Sequence, residues 1–315
     1  MKYLITGGLG FIGSNLAFSL LEQDFDVINL SKANYASSEK TLKELNKYPK
    51  HKFYSGDITN RLLIHSILKK EEPDMMIHLA AESHVDRSFV NPIGFFKNNT
   101  EGTLTILETL RQLSFPPFLV FMSTDKVFGE TQSIPTENSI LAPTTPYAAS
   151  KAAAEMFIRA YQKSYGIKSS IVRSVNIYGP RQNSEKLIPK IITNCLSNTP
   201  FTLFNSDTEI DWLFVADACN AIQTIATREN SGEVYHLSSG EKLSVKKVSE
   251  LIITTMDAQR LFKGYVGKRQ QDDKQYILNS IVTTLKLGWK ATVPFGTGIR
   301  TTIQWYGENR KWWMK

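Results

Sequence analysis

Thr6-Gly7-Gly8-Leu9-Gly10-Phe11-Ile12-Gly13 is the stretch that decides the fold. An apolar run, residues 2–6, precedes it, and a helical pattern over residues 11–23 follows it. A strand, a glycine-rich turn and a helix in this order are typical of a dinucleotide-binding fold. Gly7 allows the tight turn, Gly10 lets the backbone approach a pyrophosphate, and Gly13 lets the helix pack closely on the sheet. The pyrophosphate would meet the free amides of the helix N-terminus, which begins at Phe11 and Ile12.

Strand and helix patterns alternate through the first half of the chain. Strands are predicted at residues 2–6, 26–30, 52–54, 74–78, 118–122 and 169–173, and helices at 11–23, 61–70, 92–113 and 146–165. Parallel strands need crossover connections, so this order predicts an α/β fold, a Rossmann-type doubly wound parallel sheet with helices on both faces. Residues 1–174 are assigned to an NAD(P)-binding domain and residues 175–315 mainly to a smaller C-terminal lobe.

Composition excludes several classes of protein. The chain has 315 residues, of which 42% are apolar and 21% charged, as expected for one large or two intimate globular domains. The 37 Lys and Arg exceed the 30 Asp and Glu, but they are spread along the chain, which favours an anionic ligand over nucleic acid. Two cysteines and the lack of a long apolar run lead us to expect a soluble, cytoplasmic protein without a metal site or membrane span.

The adenosine side of the cofactor site departs from the usual pattern. Ser31 and Lys32 follow the second strand, where a carboxylate commonly binds the ribose of NAD. Ser31 can hydrogen-bond a 2′-hydroxyl and Lys32 could approach a 2′-phosphate, so NADP stays open beside NAD. Asp57, after the third strand, is predicted either to neighbour the adenine or to cap the next helix. Ile58 and Ala80 are assigned to the same cofactor site.

Tyr147 and Lys151 are candidate catalytic residues. They lie four residues apart in the predicted helix 146–165 and therefore share a face. The charge of a lysine can lower the pKa of a neighbouring tyrosine. The tyrosine would then serve as a general base beside the nicotinamide.

These motifs carry a family resemblance. TGGLGFIGS, Tyr147-x-x-x-Lys151 and Ser123-Thr124 resemble the extended short-chain dehydrogenase/reductase superfamily. AAESHVDRS at 80–88, PYAASK at 146–151, EKLIP at 185–189 and DWL at 211–213 are similar to motifs of nucleoside-diphosphate-hexose 4,6-dehydratases of the dTDP-glucose type. The similarity covers nearly the whole chain. It implies a nucleotide-sugar-binding C-terminal lobe with segments that return to the first domain, and a homodimer formed by the helices at 92–113 and 146–165.

The resemblance also implies a mechanism. In that family, a tyrosine takes the proton of the sugar 4-hydroxyl while hydride passes from C4 to tightly bound NAD, water is lost across C5 and C6, and the hydride returns to C6. Carried over to this sequence, Tyr147 is the base and Lys151 its electrostatic partner. Thr124 donates a hydrogen bond near the 4-oxygen, and Asp125 protonates the departing 6-hydroxyl.

Lys126 departs from the family pattern, which usually places a glutamate there to remove the C5 proton. A lysine can do this only when it is neutral, a state that burial beside a cationic nicotinamide would favour. The Asp125–Lys126 pair resembles that of CDP-glucose and certain UDP-N-acetylglucosamine 4,6-dehydratases. The alternative is a surface lysine in a decayed site.

The substrate residues implied by the resemblance also include departures from the family. The implied contacts are Ser83, His84, Asn176, Lys186, Leu187 and Arg269. Asn176 could instead be only a turn residue. Ile210 and Gln275 stand where the dTDP-glucose enzymes usually carry arginines, which recognise phosphate in a way that neutral side chains cannot.

The sequence thus predicts an NAD-dependent nucleotide-sugar 4,6-dehydratase that makes a 4-keto-6-deoxy-hexose. The Asp125–Lys126 pair favours UDP-N-acetylglucosamine as substrate, with dTDP-glucose next because AESHVDRS resembles that branch. Two alternatives stay open. A nucleotide-sugar 4-epimerase needs the tyrosine and the cofactor but no proton pair at C5 and C6. A non-catalytic NAD(P)-binding sensor needs the cofactor but none of the catalytic residues.

Overall fold

The computed structural model describes residues 1–32, 37–131, 133–204, 207–267 and 278–314, together with the backbone of 275–276. Its strands, in chain order, are β1 (Lys2–Thr6), β2 (Asp26–Ser31), β3 (His51–Ser55), β4 (Met75–His78), β5 (Phe118–Thr124), β6 (Ser169–Ser174), β7 (Asn176–Tyr178), β8 (Phe201–Leu203), β9 (Glu209–Phe214), β10 (Val234–Leu237), β11 (Lys242–Ser244), β12 (Phe262–Tyr265) and β13 (Gln275–Tyr276).

Seven of these strands form the main sheet, in the order β10-β6-β5-β4-β1-β2-β3. Every neighbouring pair in it is parallel. The direction of strand addition reverses at β1, so a crevice opens between the carboxyl ends of β1 and β4, where doubly wound sheets bind their ligands. The predicted α/β class is confirmed. The sequence patterns missed β10, which adds to this sheet beside β6 from far along the chain.

The α-helices are α1 (Phe11–Glu22), α2 (Glu39–Leu45), α3 (Arg61–Glu71), α4 (Val85–Val90), α5 (Pro92–Phe95), α6 (Gly102–Leu110), α7 (Pro146–Tyr165), α8 (Leu187–Leu196), α9 (Val215–Arg228), α10 (Val245–Thr255), α11 (Ile281–Leu287), α12 (Phe295–Glu308) and α13 (Arg310–Trp313). The helix predicted at 92–113 is instead α5 and α6 joined by a π-helical segment, Phe96–Glu101. Short 3₁₀ turns occupy Asp125–Phe128 and Gln259–Leu261.

The core lies on both faces of the main sheet. One apolar cluster joins the sheet to α1 and α9, and another joins it to α3, α6 and α7. Buried apolar strands such as β5 are expected when helices cover both faces of a parallel sheet. No helix in the described ranges is long and apolar enough to cross a membrane.

The second lobe is built around β9. Strand β9 pairs with β7 and β13 in parallel and with β11 in antiparallel orientation, and β8 pairs with β12. A third apolar cluster packs α8, α10 and α12 against these strands. The division of the chain at residue 174 stays a prediction, because β10 and α9, which follow that point, belong to the main sheet and its cover.

Candidate active site

The glycine-rich turn crosses the carboxyl ends of β1, β2 and β4. Gly7 has a φ of +75°, and a Cβ on it would lie 2.8 Å from the Ala80 backbone nitrogen. A Cβ on Gly13 would lie 2.3 Å from the Gly7 carbonyl oxygen. Only glycine satisfies both constraints, the left-handed turn at Gly7 and the close contact at Gly13. The turn is thereby held tightly against the sheet.

A pocket opens beside this turn at the start of α1. Gly10 precedes the helix, no side chain caps the helix, and a Cβ on Gly10 would meet only the Gly7 oxygen within 4 Å. A side chain here would fill the cradle, whereas the backbone amides at Phe11 and Ile12 begin a helix N-terminus suited to a phosphate. These features fit a dinucleotide pyrophosphate. The pocket is lined by Gly7, Gly10, Leu30, Ser31, Lys32, Ser37, Gly56, Asp57, Ile58, Leu79, Ala80, Ala81 and Asn98.

Ser31 and Lys32 are engaged with the protein itself. The Ser31 hydroxyl accepts a hydrogen bond of 3.1 Å from the Leu9 amide, so it ties the glycine-rich turn to β2. The Lys32 ammonium donates to Asp57 Oδ2 at 3.0 Å and to Asn98 Oδ1 at 2.8 Å. A 2′-phosphate would have to compete with both acceptors for the lysine.

Asp57 lines the pocket and does not cap the next helix. Its Oδ1 accepts hydrogen bonds from the amide and hydroxyl of Thr59. The side chain that caps α3 is Asn60, which accepts from the Leu63 amide. The N-cap prediction for Asp57 is therefore wrong, because its carboxylate is already used in the turn that precedes the helix. Burial opposes ionisation of Asp57, but the bonds from Thr59 and Lys32 hold its pKa below the usual value.

The π-helical segment carries two site residues that the sequence patterns did not single out. Asn98 accepts from Lys32, and Asn99 donates to the Ser150 hydroxyl at 2.9 Å and to the Glu82 carbonyl at 3.0 Å. Asn99 thus holds the loop after β4 and helix α7 in one arrangement. π-Helical turns occur often at functional sites, and consecutive asparagines inside an otherwise helical pattern were the available signal.

Tyr147 stands in the first turn of α7, where Thr145 caps the helix and Pro146 begins it. The Phe95 ring meets the Tyr147 ring edge to face at a centroid distance of 6.2 Å. Burial and the charge of Asp125 raise the pKa of Tyr147, and only its hydrogen bond with Thr124 acts in the opposite sense. The expectation that Lys151 lowers this pKa is wrong for the protein alone, because burial dominates.

Lys151 is almost completely buried one turn along α7. Its ammonium lies 4.0 Å from the centroid of the Phe121 ring. Burial lowers the pKa of Lys151 to about 7, and the nearby Glu155 carboxylate opposes this. Glu155 is itself held by Arg173 at 2.7 Å and by the Ser123 hydroxyl at 2.5 Å. A buried ion pair therefore joins α7 to β6, and a hydrogen bond from Ser123 joins the same carboxylate to β5.

Asp125 and Lys126 begin the 3₁₀ turn after β5. The Thr124 hydroxyl donates to Asp125 Oδ1 at 2.8 Å, while Oδ2 is buried without a hydrogen-bond partner among the described residues. Burial raises the pKa of Asp125, although the charge of Lys126 opposes this effect. Lys126 Nζ lies 3.9 Å from Asp125 Oδ1, and its side chain is 15% exposed. The turn thus places a carboxyl group inclined to keep its proton next to an amine.

Three of the predicted substrate residues, Ser83, His84 and Lys186, lie close together. Lys186 Nζ donates to the Ser83 carbonyl at 3.2 Å. His84 immediately precedes α4, Leu187 begins α8, and Asn176 begins β7. His84 Nδ1 is buried with no hydrogen-bond partner in the described part of the chain. Arg269 lies outside the described residues, as does the Gln275 side chain. Among the described residues, no three His, Cys, Asp or Glu side chains are grouped to hold a metal ion.

Comparison with known proteins identifies the family. The model of the family described as GDP-mannose 4,6 dehydratase matches residues 4–302. The chain belongs to this family. A dTDP-glucose 4,6-dehydratase of Xanthomonas campestris pv. campestris is 34% identical over 98% of this chain and 94% of its own length. The recognition of a 4,6-dehydratase of the extended short-chain dehydrogenase/reductase superfamily is confirmed.

Solved structures agree with this assignment to the GDP-mannose 4,6 dehydratase family. The dTDP-glucose 4,6-dehydratase DesIV of Streptomyces venezuelae, crystallised with NAD, superimposes with a TM-score of 0.93 at 35% identity and 99% coverage of both chains. A UDP-glucose 4-epimerase of Thermotoga maritima gives 0.90 at 26% identity, covering 98% of this chain and 100% of its own. The predictions of an NAD-dependent 4,6-dehydratase and of NAD as cofactor are confirmed at the level of the family.

Proposed function

We propose that the chain removes water from a nucleoside-diphosphate glucose, with dTDP-glucose as the first candidate, and yields the 4-keto-6-deoxy sugar. The observation that carries this proposal is the cluster of Tyr147, Thr124 and Asp125 at the carboxyl end of β5, in which the Thr124 hydroxyl donates to Asp125 at 2.8 Å and lies beside Tyr147. It supplies one group to take a proton and another to give one within a single cluster. An epimerase needs only the first.

Each residue of the cluster has a task that its environment supports. NAD held in the pocket beside the glycine-rich turn would supply the hydride chemistry at C4 and C6. Tyr147 takes the proton of the 4-hydroxyl as a phenolate, a form that burial disfavours and that the positive charges of bound NAD and of protonated Lys151 would favour. Asp125 keeps a proton because burial raises its pKa, and it gives that proton to the departing 6-hydroxyl. The sugar loses the atoms of one water in total.

Thr124 has a further part in this proposal. After water has left, Tyr147 holds an extra proton and Asp125 lacks one. The Thr124 hydroxyl bonds to both side chains and could pass the proton between them, which would restore the site. The resting state is thereby recovered without exchange with bulk water.

Lys126 is our candidate for the group that removes the C5 proton and later returns it. Its side chain is mostly buried next to Asp125, and it can take up a proton only as the neutral amine. During elimination, Lys126 takes the C5 proton as Asp125 gives its own proton to the departing 6-hydroxyl. Lys126 then gives the proton back to C5.

Different observations favour different substrates. Curated and structural relatives named as dTDP-glucose 4,6-dehydratases favour dTDP-glucose. The Asp125–Lys126 pair favours UDP-N-acetylglucosamine, which stays a second candidate. Ile210 at the place of a phosphate-binding arginine indicates that the nucleotide is held differently from that of the dTDP-glucose branch.

Mass spectrometry of the purified protein with dTDP-glucose, UDP-N-acetylglucosamine, UDP-glucose and CDP-glucose, each without added cofactor, tests the function. We expect one substrate to lose one water. In deuterated buffer, the product should carry deuterium at C5, since Lys126 exchanges its protons with solvent. No change of mass, with an epimer detected by chromatography, would replace the dehydratase by an epimerase.

Lys126→Ala tests the role of the lysine. We expect a first turnover that reduces bound NAD, seen as nicotinamide absorbance, without release of water. Lys163→Ala, at an exposed position of α7, is the matched control and should form product at the wild-type rate. Normal product formation by Lys126→Ala would refute the assigned role.

We also propose a homodimer. Large apolar side chains are exposed on α4, α5, the π-helical segment and α7, including Phe89, Ile93, Phe96, Met156 and Phe157. A contiguous exposed apolar surface of this kind is typical of a subunit interface. Light scattering should give twice the chain mass, and Phe157→Glu should lower it toward that of a single chain.

A further inference from the structure

The C-terminal region is hydrogen-bonded to helix α2, far from the proposed reacting groups. The Trp312 indole donates to the Thr41 hydroxyl at 2.9 Å, and Lys40 donates to the Met314 carbonyl at 3.2 Å. Trp312 also packs edge to face on Trp305 of α12 at 5.1 Å. The last turns of the chain therefore tie the second lobe to the first half of the chain.

Arg181 makes a second tie between the same elements. Its guanidinium lies 4.2 Å from the Phe18 ring centroid on α1 and 5.3 Å from that of Trp305, and it donates to Glu44 of α2 at 3.2 Å. Stacked guanidinium groups of this kind are favourable when they are shielded from water. We call Arg181, Trp305 and Trp312 the aromatic clasp.

The clasp connects to the wall of the cofactor pocket through short steps. Thr41, which accepts from Trp312, is fully buried, and its amide donates to the Ser38 hydroxyl that caps α2. The adjacent Ser37 donates to the Lys32 carbonyl at 2.7 Å, and both Ser37 and Lys32 line the pocket. Trp312 thus fixes the first turn of α2 from outside, and Ser37, two residues before this helix, forms part of the pocket wall.

We propose that the aromatic clasp retains the cofactor by holding the start of α2 against the adenosine side of its pocket. This inference rests on the proposed function, in which one NAD is reduced and reoxidised in place and need not leave between turnovers. Trp312 and Arg181 are positioning residues, since neither lines the pocket. Loosening the clasp should speed the release of NAD while the reacting groups stay unchanged.

Trp312→Phe and Trp313→Phe are a matched pair for the test. Both remove one indole donor, but Trp313 donates to the Tyr306 carbonyl of its own lobe. The release of NAD from the purified, sugar-free protein is followed by exchange with isotopically labelled NAD. We expect Trp312→Phe to release it about three- to tenfold faster, the effect of one hydrogen bond, and Trp313→Phe to match the wild type.

Thr41→Val completes a double-mutant cycle. It should act like Trp312→Phe, and the double variant should release NAD no faster than the faster single variant, because both remove the same bond. The melting temperature without NAD should change little, whereas the increase caused by added NAD should shrink. Equal release by Trp312→Phe and Trp313→Phe, additive effects, or a wild type that holds no NAD would overturn the proposal. Retained NAD without any dehydration would instead refute only the proposed function.

Discussion

Two lysine–aspartate pairs, in different parts of the site, shift the pKa values of their aspartates in opposite directions. Lys32 and Asp57 are 3.0 Å apart beside the adenosine pocket, and the two side chains are 37% and 38% exposed. Lys126 and Asp125 are 3.9 Å apart at the proposed reaction centre, where the side chains are 15% and 2% exposed. The pKa of Asp57 lies below its usual value, and that of Asp125 lies above it.

The difference arises from solvent and hydrogen bonds, because the residue types are the same. Asp57 accepts from Thr59 and Lys32, and water can reach it. Asp125 accepts from Thr124, but its second oxygen is buried without a partner among the described residues, so burial dominates. A lysine nearby therefore does not by itself keep an aspartate ionised. The exposed pair can hold a fixed charge, and the buried pair can exchange a proton.

Asp125→Asn should have the largest effect. Asparagine keeps the shape and the Thr124 contact but carries no acid proton, so we expect product formation to fall by about 10²- to 10⁴-fold. Reduction of bound NAD by the sugar should persist, since that step uses Tyr147. Rapid-mixing absorbance and mass spectrometry separate the two steps. If Asp125→Asn forms product at a rate within tenfold of the wild type, Asp125 is not the acid, and the buried pair is no more reactive than the exposed pair Lys32–Asp57.

The pH dependence of the wild type tests the same acid. Tyr147 and Lys126 must be deprotonated to act and Asp125 must be protonated, so turnover at saturating sugar should rise with pH and then fall as pH passes the raised pKa of Asp125. A carboxyl group whose pKa is lowered, as that of Asp57 is, would already have lost its proton there. A profile that rises with pH and has no falling limb would contradict the role of Asp125 as an acid.

A buried lysine without an adjacent aspartate extends the comparison. The pKa of Lys151 is about 7 in the folded protein, against about 10.4 for an unfolded chain. The unfolded chain binds more protons between these values, so the free energy of unfolding should rise with pH across this window. The rise should amount to a few kcal/mol, because one pKa unit corresponds to about 1.4 kcal/mol.

Lys151→Met should flatten this rise, and Lys163→Met, at an exposed position of the same helix, should not. Urea unfolding at a series of pH values measures it. Parallel stability curves for the wild type and Lys151→Met would mean that Lys151 stays charged despite its burial.

The fold was predictable because its signals are local and periodic. Helix α7 has the predicted bounds, and β1 follows from the apolar run before the glycines. Strand β10 was not predicted, because four buried residues carry too short a pattern and their partner β6 lies about sixty positions earlier in the chain. The π-helical segment was missed for a related reason, since a single wide turn changes the helical periodicity very little.

The site was predictable in its residue types but not in its charges. The pattern brought Tyr147, Asp125 and Lys126 to one end of the sheet, where the structure has them. The pKa of Tyr147 departs upward, contrary to the expectation, because sequence spacing indicates which charges are near but not how much water is lost. The hydrogen bond from Lys32 to Asp57 could not be predicted either, because the two residues are 25 positions apart and meet only through the pairing of β2 with β3.

Asp57→Asn should have the smallest effect and is the sharpest test of the exposed pair. It leaves Lys32 with the Asn98 acceptor but without an opposing carboxylate. An exposed ion pair contributes about 0.2 to 1 kcal/mol, so the affinity for NAD should change less than about fivefold. The affinity for NADP should rise relative to NAD, because the lysine charge is then available to a 2′-phosphate, and this gain should shrink at high salt. Titration of both cofactors at two salt concentrations measures the ratio. If the ratio of NADP affinity to NAD affinity does not change, the bond to Asp57 does not withhold the Lys32 charge from a ligand in the wild type. The two lysine–aspartate pairs would then differ in burial but not in the effect of their hydrogen bonds.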